Sequence, residues 1–289
     1  MGFRIVQVSD LHLSRDRAYF FDNWDVFVGL IRDDPPDLVV VSGDLSFDGW
    51  GDPAALAFAR EQIARLEVPV RILPGNHDIG ESPAGPRPGR AVTKAHHRRF
   101  LDLFGEDRWT IALGEWTLIG IDSEIFQSGL DAEAAQRVWL EATLAGTAGP
   151  VALFMHKPLY LDDPEDERVT AGWCDPLSRR WLFGLIERHD VRVVGSGHLH
   201  IWRHVRHGDT DIVWAPSTSF VNADERKPDH GGTHRVGFVE YRLEGAEAEI
   251  RFVEPALFAN IDLRNWFRSG RSALHLPPRP LCRTSTESG

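Results

Sequence analysis

The stretch Val70-Arg71-Ile72-Leu73-Pro74-Gly75-Asn76-His77-Asp78 governs how the rest of this chain reads. A short β-branched run without polar alternation is what a strand buried on both faces looks like. The run stops at Pro-Gly, and an amide, an imidazole and a carboxylate follow at once. Turn chemistry accounts for Gly-Asn but gives a histidine between Asn and Asp no task. Outward from this block the same punctuation recurs. Phe3–Val8 leads to Asp10-Leu11-His12, and Leu38–Val41 to Ser42-Gly43-Asp44. Val151–Phe154 leads to Met155-His156-Lys157-Pro158, and Val191–Val194 to Ser196-Gly197-His198-Leu199-His200.

Each block taken alone has an ordinary reading: Asp10 as a turn carboxylate beside a surface His12, Asp44 as a cap, His156 as a hydrogen-bonded structural histidine. Together they read differently. Residues two apart in extended chain point the same way, so Asp10 and His12, or His198 and His200, can address one ion. In an open α/β sheet the carboxyl ends of the strands border one crevice, which makes neighbours of groups spread from residue 10 to residue 200.

Between the strands lie helical patterns. Phe21–Arg32 spaces Trp24, Phe27, Val28 and Ile31 by three and four, and Ala54–Leu66, Ala132–Leu144 and Pro176–His189 behave alike. Strand-helix alternation predicts an α/β domain. From Trp202 onward Ile212–Trp214, Val236–Tyr241 and Ala248–Phe252 follow without helices, which predicts an antiparallel second sheet. The expected fold is therefore a two-sheet β-sandwich flanked by helices, with residues 1–255 as one domain and 256–289 as a C-terminal extension or tail. Pro277-Pro278-Arg279-Pro280 and the small polar residues after it suit either a mobile end or an arm on the partner subunit of a homo-oligomer.

Composition narrows the classes. The 289 residues carry 32 Lys+Arg against 43 Asp+Glu, a net charge of −11, which disfavours a long phosphate backbone and predicts no nucleic-acid polymer as partner. Cys174 and Cys282 are far apart and outside any CxxC spacing, so neither a disulfide framework nor a thiolate zinc site is expected. No apolar run reaches the length of a membrane span, and Met1-Gly2-Phe3-Arg4 enters the first strand directly. The expected setting is a reducing cytoplasm, with no membrane partner.

In their order the five blocks resemble the calcineurin-like metallophosphoesterases, whose pattern is Asp-x-His, Gly-Asn-His-Asp or -Glu after Gly-Asp, a lone His, then Gly-His-x-His. Every block is present, over roughly residues 3 to 220. The resemblance implies the four-layer α/β/β/α form of the sandwich. It implies one ion held by Asp10, His12, Asp44 and His200, and a second by Asp44, Asn76, His156 and His198, with Asp44 bridging. Mixed N and O donors suit two divalent ions of Mn, Fe or Zn rather than Mg. Such a pair holds a hydroxide and neutralises phosphoryl oxygens, which serves in-line attack on phosphorus. His77 is then the catalytic donor to the leaving alkoxide, and Asp78 the residue that orients its ring. The Gly-Asn-His-Asp form and the compact size are most similar to small bacterial cyclic nucleotide phosphodiesterases and glycerophosphodiesterases. The implied activity is hydrolysis of a small phosphodiester, a 3′,5′-cyclic nucleotide or a glycerophosphodiester. Phosphomonoesterase, protein phosphatase, or nucleotide-sugar or lipid pyrophosphatase activity on the same centre is the alternative. A scaffold that had lost catalysis would lack a ligand or His77, and an amidohydrolase barrel would open with His-x-His.

Specificity is expected from loops 79–92, 161–174 and 217–234. The acidic run Asp162-Asp163-Pro164-Glu165-Asp166-Glu167 repels polyanions or is simply solvated, Trp173 and Phe220 stack a base or pack in the core, and Asn222 and His234 lie beside them. Lys94–Arg99 attracts a phosphate or, by default, is a solvated basic helix face.

Overall fold

The computed structural model describes residues 2–82, 89–221, 231–271 and 273–281. Three strands, β1 (Phe3–Val8), β2 (Leu38–Ser42) and β3 (Val70–Leu73), run parallel, with helices α1 (Phe21–Asp33) and α2 (Pro53–Ile63) between them. The catalytic-looking block after β3 forms a short turn of helix, α3 (Asn76–Ile79), and the basic segment forms α4 (Lys94–Phe104). Strands β4 (Trp109–Leu113) and β5 (Trp116–Gly120) make a hairpin, followed by α5 (Asp131–Ala145), β6 (Val151–Phe154), α6 (Pro176–Arg188) and β7 (Val191–Ser196). Then come β8 (Arg203–His207), β9 (Thr210–Trp214), β10 (Phe220–Val221), β11 (Phe238–Glu244), β12 (Glu247–Val253) and β13 (Ile261–Asp262).

The two large sheets have the orders β12-β11-β1-β2-β3 and β4-β5-β6-β7-β9-β8. The strands therefore divide otherwise than the chain order predicts. The second sheet is built around β6 and β7 rather than from the C-terminal strands alone. The C-terminal hairpin β11–β12 returns to pair antiparallel with β1. The reason is burial: β2 is apolar on both faces, with Leu38 and Val40 between the sheets and Val39 and Val41 under α1 and α2. Such a strand needs neighbours on both edges and cover on both sides. Val151 and Leu153 likewise face the helices of the second sheet, while Ala152 and Phe154 face inward. The result is the predicted four-layer α/β/β/α mixed fold.

One polar tie crosses the apolar middle. Gln7 Nε2 donates to Ser42 Oγ at 2.8 Å and to Ser196 O at 3.2 Å, and Tyr241 Oη donates to Gln7 Oε1 at 2.5 Å. A buried amide satisfied from both sheets sets their relative register beneath the strand ends.

At the C-terminus, Ala273 and Leu276 are buried with Phe20, Phe47, Phe220 and Leu263, and Ala18 N–H donates to Arg279 O at 2.9 Å. Residues 273–281 thus lie on their own chain. The final residues, Cys282 included, lie outside the described ones. Among the described residues no helix is long and apolar enough to cross a membrane.

Candidate metal centre

The carboxyl ends of β1, β2 and β3 from one sheet and of β6 and β7 from the other meet at one edge of the sandwich. All seven residues implied as ligands gather there, drawn from two sheets rather than one. Asp10, His12 and His200 form one buried group, and Asp44, His156 and the partly buried His198 form another. In the first, His12 Nε2 lies 3.2 Å from His200 Nε2, which lies 3.3 Å from Asp10 Oδ1. In the second, His156 Nε2 lies 3.2 Å from His198 Nδ1 and 3.3 Å from Asn76 Oδ1. The Asp44 carboxylate stands between them, Oδ2 at 3.7 Å from His12 Nε2 and Oδ1 at 3.4 Å from His156 Nε2.

Main-chain carbonyls choose the ring nitrogens. His156 Nδ1–H donates to Ser42 O at 2.8 Å and His200 Nδ1–H to Phe220 O at 2.7 Å, which leaves both Nε2 lone pairs facing inward. Neutral imidazoles with an inward lone pair, held by an acceptor behind, are what metal ligation requires. Of the six non-glycine residues described with positive φ, five belong to this centre: Asp10, His12, Asp44, His198 and His200, with φ between 46° and 71°. Left-handed backbone costs an L-residue about 1–2 kcal/mol, and strain concentrated this way marks a site rather than a stable turn.

The glycines before the donors permit the close approach. A methyl at Gly43 would overlap the His156 ring, one at Gly75 would overlap Asp44, and one at Gly197 would overlap Ser9 and Asp10. Gly43 also has φ +97°. Gly43→Ala is therefore expected to destabilise the fold by about 1–3 kcal/mol and to weaken metal retention, because His156 is fully buried and has nowhere to move. A denaturant melt beside metal analysis checks this, and an unchanged midpoint contradicts it.

The donors fit cations. Asp10 Oδ1 is buried and accepts no hydrogen bond among the described residues. Burial opposes ionising Asp10, yet the His200 imidazole beside it holds the carboxyl below its usual range. Burial lowers His156, but Asp44 and then Asp10 outweigh it and push the ring up to about 10. Burial and that neighbouring charge push His198 down to about 3. Without a metal the carboxylates draw a proton onto one imidazole, and a divalent ion supplies the same positive charge with better geometry. A mixture of imidazole, amide and carboxylate suits borderline transition ions.

His77 is partly buried, at the rim of the centre. Its N–H donates to Asp44 Oδ1 at 2.7 Å, and its Nδ1–H donates to Phe47 O at 2.6 Å. Asp78 does not orient this ring, contrary to the sequence expectation. Asp78 Oδ1 accepts from Ser46 N at 2.9 Å and Ser46 Oγ at 2.7 Å, and Oδ2 accepts from Gly75 N at 2.9 Å and Leu45 N at 3.1 Å. Those bonds hold the Asp44 loop against the Asn76 loop, because residue 78 is the third of a helical turn whose carboxylate folds back on its own N-terminus. Burial and the Asp44 charge push the Asp78 carboxyl up to about 7. The histidine-orienting roles of Phe47, Ser42 and Phe220 escaped the sequence reading because they act through carbonyl oxygens, which every residue has.

Phe220 is no stacking platform: it is buried, its ring 4.4 Å from that of His200. Trp173 lies under the Arg168 guanidinium at 5.2 Å. The acidic run is not bare, since Asp162, Asp166 and Glu167 pair with Arg203, Arg168 and Arg180. Within the basic segment His97 turns inward. Asn222 and part of loops 79–92 and 217–234 lie outside the described residues.

A four-layer α/β/β/α sandwich with clustered imidazole and carboxylate donors at its strand ends is the frame of a metal-dependent phosphoester hydrolase. The calcineurin-like phosphoesterase profile matches residues 3–202, and the chain belongs to that family, which works with divalent metals. A protein of Xenorhabdus bovienii named as a probable cyclic nucleotide phosphodiesterase is 23% identical over 231 residues, 75% of this chain and 86% of its own. A protein of Arcobacter nitrofigilis named as a probable glycerophosphodiester phosphodiesterase is 26% identical over 213 residues, 68% of this chain and 71% of its own. Among solved structures, a purple acid phosphatase from yellow lupin seeds aligns with a TM-score of 0.64 over 87% of this chain and 52% of that one. Its 15% identity speaks to the fold alone.

Proposed function

We propose that this chain hydrolyses small phosphodiesters, 3′,5′-cyclic nucleotides or glycerophosphodiesters, at a pair of divalent ions of Mn, Fe or Zn. Asp10, His12, Asp44 and His200 would hold one ion, and Asp44, Asn76, His156 and His198 the other. The observation that carries this reading is the position of Asp44, with one oxygen toward each group of imidazoles. When bound, such ions supply a nucleophile at neutral pH and charge neutralisation for the phosphoryl oxygens.

The protein's own groups do the rest. Asp10 Oδ2 accepts His198 N–H at 2.9 Å, so the two ends of the ligand set are tied together. Phe47 O keeps Nδ1 of His77 protonated, so Nε2 is the nitrogen left for the leaving oxygen. Burial lowers the His77 pKa, Asp44 opposing and Arg90 reinforcing, so the ring favours its neutral form and Nε2 takes up a proton before giving it to the leaving oxygen. The diester preference rests on the names of the relatives.

The test is a substrate panel on protein stripped by a chelator and reloaded with Mn2+, Fe2+ or Zn2+. Chelation is expected to abolish turnover and reloading to restore it, with cyclic nucleotides or glycerophosphodiesters exceeding monoesters and pyrophosphates by at least about tenfold in kcat/KM. Turnover that survives stripping would overturn the metal reading. A monoester or pyrophosphate at the top of the ranking would overturn the diester reading.

A further inference from the structure

Away from this centre, His97 on α4, Asp107 before β4 and Asp122 after β5 each bring one ligand atom within 4.8 Å of the others. All three are buried. His97 Nε2 lies 2.6 Å from Asp107 Oδ2, and the other Asp107 oxygen accepts from Arg108 at 3.1 Å. Asp122 Oδ1 accepts from Glu124 N–H at 2.8 Å. Its Oδ2 is buried with no hydrogen-bond partner among the described residues, on a residue with 0% exposure. The Asp122 main chain is clamped by Gln136, which accepts from its N–H and donates to its carbonyl, both at 2.8 Å. The carboxylate is thus fixed in place beside a second carboxylate, with an oxygen that no described residue satisfies.

A native interior tolerates an unsatisfied carboxylate oxygen poorly. Burial, the nearby Asp107 and then Glu124 hold the Asp122 carboxyl well above its usual range, against the opposing charge of Lys157. Arg108 and the His97 ring each pair with Asp107. The function above uses none of the three residues.

We propose that His97 Nε2 and one oxygen each of Asp107 and Asp122 form a third metal site, which takes a divalent transition ion such as Zn2+ or Mn2+. One imidazole and two carboxylates are a donor set both ions accept. Binding displaces the proton between His97 and Asp107 and any proton on Asp122. The role is structural. Phe100 on α4 packs under the first sheet, whereas β4 and β5 belong to the second, so an ion here pins one layer to the other.

The test compares wild type with Asp122→Asn and, as a second variant, His97→Gln, each loaded with Zn2+ and desalted. Asn is isosteric with a protonated Asp and keeps the Oδ1 acceptor, so the metal-free variant is expected to melt at or above the metal-free wild type. Each variant is expected to hold about one equivalent of Zn2+ per chain less than wild type, and to show a smaller Zn2+-induced rise in Tm. The difference is read independently of how many ions the catalytic centre holds, so it stands or falls apart from the function above. Equal metal content in wild type and both variants would overturn the site and leave Asp122 as a buried carboxyl that folds protonated.

Discussion

Asp44→Asn is expected to lower kcat toward a diester by about 10³-fold or more and to empty both halves of the metal centre together. The amide keeps the shape of the carboxylate and can still accept His77 N–H at the Oδ1 position, so the loop is not expected to collapse. Asn also tolerates the left-handed backbone that Asp44 adopts, with φ 52°. What the variant loses is the charge and the second anionic oxygen. Without them His12 and His156 face no common anion, and the proton held on His156 by Asp44 is released. Asp10→Asn is the control: Asp10 lies in only one of the two groups, so that variant is expected to spare the His156 half. Metal analysis beside steady-state kinetics measures both effects. One half of the centre retaining its metal at wild-type affinity in Asp44→Asn would refute the bridge.

His77→Ala is expected to keep its metals and its melting temperature while losing about 10²–10⁴-fold in kcat toward diesters with alkoxide leaving groups. Among the described residues the side chain makes one hydrogen bond, to Phe47 O, worth about 1 kcal/mol net. A p-nitrophenoxide leaves without help from an acid, so activity toward a p-nitrophenyl diester is expected to fall far less. Equal losses on both substrates would assign His77 to positioning rather than proton donation. The backbone N–H that His77 gives Asp44 survives the substitution, which separates the two roles cleanly.

The candidate ligands were legible because they are side chains of unusual type at a recurrent place, the residue or two after an apolar run. The helices beside them were legible from periodicity, and α1, α5 and α6 end within a residue or so of the expected positions. The β4–β5 hairpin was not. Its inward residues Trp109, Trp116 and Leu118 alternate with Thr and Ala in a pattern too short to separate from a loop. His97 shows the opposite failure. It stands in Lys-Ala-His-His-Arg-Arg, where charge density suggests a solvated face, yet Asp107 ten residues on draws it inside. The role of Asp78 was misjudged for a related reason, since sequence adjacency to His77 says nothing about which way two successive side chains of a helical turn point.

The amino-acid sequence alone determined which donors this protein owns, their order and their attachment to strand ends, because residue identity and hydrophobic period are local properties. Tertiary structure alone decided that these strand ends belong to two sheets, that Asp44 falls between two sets of imidazoles, and that Ser42, Phe47 and Phe220 orient histidines through their carbonyls. Those facts depend on how one sheet is set against the other, a register held by Gln7, Ser42 and Ser196 across the apolar middle, and long-range packing of that kind leaves no mark on any single stretch of chain.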